Sequence, residues 1–210
     1  MGVLMRNKGQ MFLITATIII VILVLLRTSV NLPEMLQKEK ELKTRFEKEF
    51  FQNTADELVK VIDISYHQPS NITNNVFGFG NFTRKKMTER LQSFEFLYVG
   101  VITPASSGNG IMNVTFVNLL NKPINATLQL NSFVPVNSSE MSDSSSWTTN
   151  YSIAQGQTYT IIVGYNGTYS ENVTIQTRVN KSVYIGFFDI TLTGPETTYK
   201  DKFQKNYTLP

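Results

Sequence analysis

The feature that most limits this chain is a run of 16 residues without a charge, Met11 to Leu26 (MFLITATIIIVILVLL), closed by Arg27. Within it, Ile18 to Leu26 is an unbroken series of large aliphatic side chains, too apolar all round for the surface helix of a globular domain. A helix crossing a bilayer needs about 20 residues. The run reaches that length when Gln10 and Thr28 to Val30 join it and Arg27 extends its guanidinium to the interface. We therefore expect a transmembrane helix over residues 10–30. Arg6 and Lys8 precede it with no acid nearby, and the positive charge of cytoplasmic flanks orients the amino end inward. The expected location is the cell membrane, single-pass, with everything beyond Val30 outside the cell.

No small-x-small cleavage site follows the run, which argues against a removed secretory peptide. The processing signal lies before it. Met5-Arg6-Asn7-Lys8-Gly9-Gln10 resembles the class III, prepilin-type signal of archaeal type IV pilins and archaellins, in which a basic residue and a glycine precede the glutamine that starts the mature protein. The resemblance implies a signal over residues 1–9, with Lys8, Gly9 and Gln10 around the cut. It also implies a prepilin-peptidase-like enzyme as partner and an apolar run that stays behind as the anchor in membrane lipid. Glycine suits such a site because it lets an extended backbone enter a protease cleft. Many pilins carry glutamate at the fifth mature position, where this chain has Ile14.

Past the run, eight of the 16 acidic residues fall between Glu34 and Asp63, a charged, helix-forming stretch. Asn31-Leu32-Pro33-Glu34 has the pattern of a helix start, either a new helix or a kinked continuation, and the amphipathic extension is expected over residues 31–65. Leu32, Met35, Leu36, Leu42, Phe46, Phe50, Leu58 and Ile62 recur mostly every three or four positions, which puts them on one stripe. Glu34/Lys38, Glu39/Lys43 and Glu41/Arg45 pair at helical spacing on the solvated side. The layout resembles the pilin spine. Leu36, Leu42, Phe46 and Phe50 are the expected packing residues. The stripe either lies against the chain's own β-domain, which we favour, or lines the interior of a helical filament, with Phe46, Phe50 and Phe51 deciding between the two.

Residues 66–93 read as a linker with a short helix. Within it Gly78-Phe79-Gly80 reads as a bend, and Arg84-Lys85-Lys86 with Arg90 as a solvated helix face rather than a nucleic-acid patch. From Phe94 onward, β-rich runs alternate with turn signals: Phe94–Thr103, Ile111–Leu119, Ile124–Phe133, Thr158–Tyr165, Thr168–Val179 and Val183–Thr193. Six or seven strands in about 100 residues describe an antiparallel sandwich of immunoglobulin-like size over residues 94–195, followed by a C-terminal tail over 196–210. The fold class is α+β. Asn166-Gly167 marks a tight hairpin and Ser107-Gly108-Asn109-Gly110 a looser one. Ser138 to Thr149 reads as an exposed loop, with Trp147 a packing residue near its end.

Ten Asn-x-Ser/Thr sequons begin at Asn71, Asn81, Asn113, Asn125, Asn137, Asn150, Asn166, Asn172, Asn180 and Asn206. Roughly four would arise by chance at this composition, and all ten lie beyond the apolar run, as expected for a glycoprotein of the cell surface. Chemistry is sparse by contrast. The chain has no cysteine and one histidine, His67, in a turn-like Tyr66-His67-Gln68-Pro69 setting. No acidic cluster has metal-ligand spacing and no nucleophile motif accompanies His67, so no cofactor, metal or enzymatic role is expected. A net charge of +3 exerts little pull on nucleic acid. Two functions remain. One is a structural or minor subunit of a surface filament, with itself or other pilins as partners. The other is a monotopic module, similar in layout to archaellum stator subunits, that contacts the surface layer (S-layer) without polymerising.

Overall fold

The computed structural model describes residues 3–65, 69–131 and 136–209, which form two compact units, residues 1–47 and 48–210. Helix α1, Val3–Ser65, is a single helix of 63 residues. It begins in the first unit and its last turns belong to the second. Pro33 lies inside it, so of the two alternatives at Asn31 the helix continues rather than starting anew. A proline here costs the hydrogen bond to the carbonyl four residues back. Ending the helix would leave four carbonyls on one side and four amides on the other without partners, and the flanking residues are strong helix formers.

The second unit is a β-sandwich with helices on one outer face. Its first sheet contains β1 (Ser93–Thr103), β2 (Asn109–Leu119), β5 (Ser145–Ala154), β8 (Ser182–Thr193) and β9 (Thr198–Leu209), in the order β5-β2-β1-β8-β9. The second contains β3 (Ile124–Leu130), β4 (Asn137–Met141), β6 (Thr158–Tyr165) and β7 (Tyr169–Gln176), in the order β4-β3-β6-β7. All neighbours are antiparallel. The expected hairpin is there: Tyr165 pairs with Tyr169 across Asn166-Gly167, both at positive φ.

The two sheets differ in how their faces are used, and the sequences say why. In β1 and β8 both alternating sets are apolar. Leu97, Val99, Val101, Ile185 and Phe187 fill the space between the sheets, while Phe94, Phe96, Tyr98, Phe188, Ile190 and Leu192 face a second core under the helices. A strand buried on both faces reads as a continuous apolar run. The second sheet alternates more strictly, with Ala126, Leu128, Ile161, Val163, Val173 and Ile175 turned inward.

The helix layer over the first sheet consists of the end of α1, which buries Phe51, Leu58 and Ile62, and of α2, Pro69–Thr88, which buries Ile72, Val76 and Met87. Where the sequence reads as a linker with a short helix, the structure has this 20-residue packed helix. Gly78-Phe79-Gly80 is not a bend but its middle. A Cβ at Gly80 would lie 2.7 Å from Leu119 Cδ1 and 2.9 Å from Phe96 Cδ1, whereas one at Gly78 would meet nothing within 4 Å. Gly80 lets the helix approach the sheet. At Gly186 a Cβ would lie 2.9 Å from Phe188 Cε2 and 3.1 Å from Ile62 Cδ1, and at Gly100, opposite it in the register, a Cβ would run into the Tyr98 ring, so Gly186 admits α1 and Gly100 admits Tyr98.

Two further segments differ from expectation. Ser138–Thr149, read as a loop, forms most of β4 and the first half of β5, with only Ser142–Ser144 between them. Residues 196–210, read as a tail, contain β9, which pairs with β8 from Thr193↔Thr198 to Ser182↔Leu209. Tyr199, Phe203 and Tyr207 of β9 pack against the helix-side core, with the Phe203 ring 4.8 Å from that of Phe188.

Candidate membrane span and assembly surface

Among the described residues one helix is long and apolar enough to cross a membrane: the window that begins at Met11 has a mean hydropathy of 2.6, and none of it is buried. A helix suits that environment because its backbone groups bond within the segment. The few polar side chains follow suit. Thr15, Thr17 and Thr28 each donate their hydroxyl to the carbonyl four residues back, Met11 O, Leu13 O and Val24 O, at 2.9, 2.9 and 3.0 Å. No hydroxyl among these three needs water.

Below the apolar run the four expected packing residues part company. Leu36, Leu42 and Phe46 are exposed, Phe46 to 68%. Phe50 packs at the margin of the helix-side core with the Arg90 guanidinium 5.4 Å above its ring, and Phe51 is 7% exposed and stacks on Tyr199 at 5.9 Å. The apolar stripe is therefore covered by the β-domain from Phe50 onward, while Leu32, Met35, Leu36, Leu42 and Phe46 are left uncovered. The backbone of Lys8, Gly9 and Gln10 is helical, and the side chains of residues 1–10 and His67 lie outside the described residues.

Of the ten sequon asparagines, Asn71, Asn113, Asn125, Asn150, Asn166, Asn172, Asn180 and Asn206 are exposed and Asn81 and Asn137 half-buried; none is buried. Asn113 and Asn150 are register partners on adjacent strands. Asn81 accepts from Arg84 Nη2 at 3.2 Å, and Asn137 Nδ2 donates to Thr149 Oγ1 at 3.1 Å. Trp147 is half-buried against the inter-sheet core. An open hollow of about 400 Å³ lies between Ile124, Asn125, Glu140 and Asn166 at one end of the second sheet.

Three polar assemblies, invisible to sequence reasoning, hold the domain together. Arg84 ties α2 to the β4–β5 turn, with Nη1 donating to both Asp143 oxygens at 2.9 and 2.7 Å and Nη2 to Ser144 Oγ. Buried Asp189 accepts from Tyr169 Oη at 2.8 Å, and Lys202, 3.7 Å from Asp189, pairs with Glu171 and lies 4.8 Å over the Tyr169 ring. Burial, and then the Asp189 hydrogen bond, push the Tyr169 phenol up, while the Glu171 hydrogen bond raises Lys202. This set joins the open edges of the two sheets, β7 and β9. In the helix-side core Tyr98 and Tyr184 bond hydroxyl to hydroxyl, and burial raises both phenols. Among the described residues no three Asp, Glu or His side chains converge. Compared with known protein families, characterised proteins and solved structures, the chain matches none.

Proposed function

We propose that the protein is a membrane-anchored, type IV pilin-like subunit, structural or minor, of a surface filament, with its amino end in the cytoplasm and its β-domain outside. One observation carries this reading: a single helix presents a fully lipid-compatible run, then an uncovered apolar stripe, and only then the turns that its own β-domain covers. The first part suits lipid. The second is apolar surface that a water-exposed monomer leaves unsatisfied and that neighbouring helices in a filament cover. Sequon asparagines that all reach the surface agree with an outward domain. Processing between Gly9 and Gln10 requires the helical first turns to unwind, which Gly9 makes easier.

Mass spectrometry of the amino terminus, together with shearing of cells, tests the proposal. The expected chain starts at Gln10 and appears in the sheared filament fraction. An intact Met1 start would remove the processing step. A chain that stays with the membranes after shearing is instead the non-polymerising module that contacts the surface layer.

A further inference from the structure

Six described residues other than glycine hold positive φ: Leu91, Asn121, Asn131, Ser144, Asn166 and Asn180. Asparagine and serine tolerate this region because their short polar side chains bond locally. Asn131 Oδ1 accepts from Thr160 N at 2.9 Å and Asn166 Oδ1 from Asn125 N at 2.8 Å. Leu91, at φ 59°, has no such group and is 89% exposed, so no packing within the chain accounts for leucine there. The turn itself is required, because Arg90 N, Leu91 N and Gln92 N close α2 onto Met87 O, Thr88 O and Met87 O at 2.9, 3.1 and 3.0 Å. Glycine or asparagine fits that turn with less strain. The conformation makes leucine costly and the fold makes no use of its side chain. Backbone strain that the domain does not itself exploit points to a role outside it.

The geometry points to Leu91 as an anchor that docks onto a second copy of this chain, on the uncovered α1 stripe; this rests on the filament reading. The two surfaces are complementary. Met35, Leu42 and Phe46 are apolar and exposed, and Glu39 shares their face at spacings of four, three and seven. Leu91 is an apolar knob just past Lys85-Lys86, with Lys86 paired to Glu89 at 2.9 Å and Arg90 turned over the Phe50 ring. An apolar centre meets an apolar stripe, and Lys85 beside the first meets Glu39 within the second, the arrangement of an interface anchor with a polar surround. Because the two surfaces differ, each copy offers one and accepts the other. Such a head-to-tail contact repeats along a filament instead of closing a dimer.

The chain has no cysteine, so crosslinking is unambiguous. In the full chain, L91C combined with L42C and mildly oxidised in membranes is expected to give a disulfide-linked ladder, while L91C alone and L42C alone stay monomeric. A second variant, L91G, relieves the turn without creating a sequon before Gln92-Ser93: its thermal midpoint rises by about 2–4 °C, while filament yield in the sheared fraction falls at least several-fold. The contact is overturned by a double variant that stays monomeric in both membranes and sheared material, by crosslinking of L91C alone, or by undiminished filaments from L91G. Crosslinked chains without any sheared filament leave the contact standing and sink the filament reading alone.

Discussion

Phe46 and Phe50 lie one turn apart on the same apolar stripe of one helix, yet Phe46 is 68% exposed while Phe50 packs against the helix-side core. Amphipathic spacing defines a face but does not say what covers it. From Phe50 on, the cover is the aromatic floor of the first sheet, where Phe96, Phe188 and Tyr98 lie beneath Leu58 and Ile62. Upstream, Leu36, Leu42 and Phe46 are exposed. Truncation separates the two halves most strongly. Leu58→Ala is expected to destabilise the domain by about 2–5 kcal/mol, the range for a fully buried leucine. Leu36→Ala, by contrast, shifts it by less than about 0.5 kcal/mol. Thermal unfolding of the detergent-solubilised chain measures both, and equal losses would erase the distinction.

The core under the covered half also holds two buried phenols, which give the domain a pH dependence. Tyr98 and Tyr184 are raised in the fold, chiefly by burial, so the native state holds their protons where the unfolded chain has released them. Stability is therefore full below about pH 10, the ordinary tyrosine value, and declines above it by up to about 1.4 kcal/mol per pH unit for each phenol. Denaturation midpoints from pH 7 to 11 check this. A midpoint constant across that range would show that the pair is not buried in solution.

The glycines of α2 sharpen the point within a single helix, because their effects have opposite signs. Gly80→Ala pushes a methyl group into Leu119 and Phe96 and is expected to cost about 1–3 kcal/mol. Gly78→Ala enters open space and is expected to gain about 0.5–1 kcal/mol from helix propensity. Paired denaturation curves decide it, and a loss at both positions would mean that helix propensity does not govern Gly78.

That pair also shows where sequence reading stops. Gly-Phe-Gly looks like a bend because glycine disfavours helix, and nothing local reveals that a sheet strand lies against one of the two. The strands β1, β2, β3, β6, β7 and β8 were legible because apolar residues fill one or both faces. β4 and β5 were not, because they are edge strands whose outward positions are Ser, Thr and Asn and whose inward apolar set is little more than Met141, Tyr151 and Ile153. In β9, Tyr199, Phe203 and Tyr207 recur every fourth residue among lysines, a spacing that obscures the two-residue period. The lipid-compatible run and the surface sequons needed only composition. Leu91 and the Arg84 and Asp189 assemblies needed coordinates, since each depends on backbone geometry or on residues more than ten positions apart in sequence.

The smallest expected effect returns to the two phenylalanines. Phe46→Ala removes a large apolar side chain, a change that in a core costs about 3–5 kcal/mol. Its ring is exposed in the monomer, so almost no buried area is lost and the domain's stability should move by less than about 0.5 kcal/mol. If the ring is covered only between copies, the whole penalty transfers to association: Phe46→Ala leaves the unfolding curve in place and reduces the sheared filament fraction. A clear fall in domain stability would instead place Phe46 under the chain's own fold, making the stripe one continuous intramolecular face.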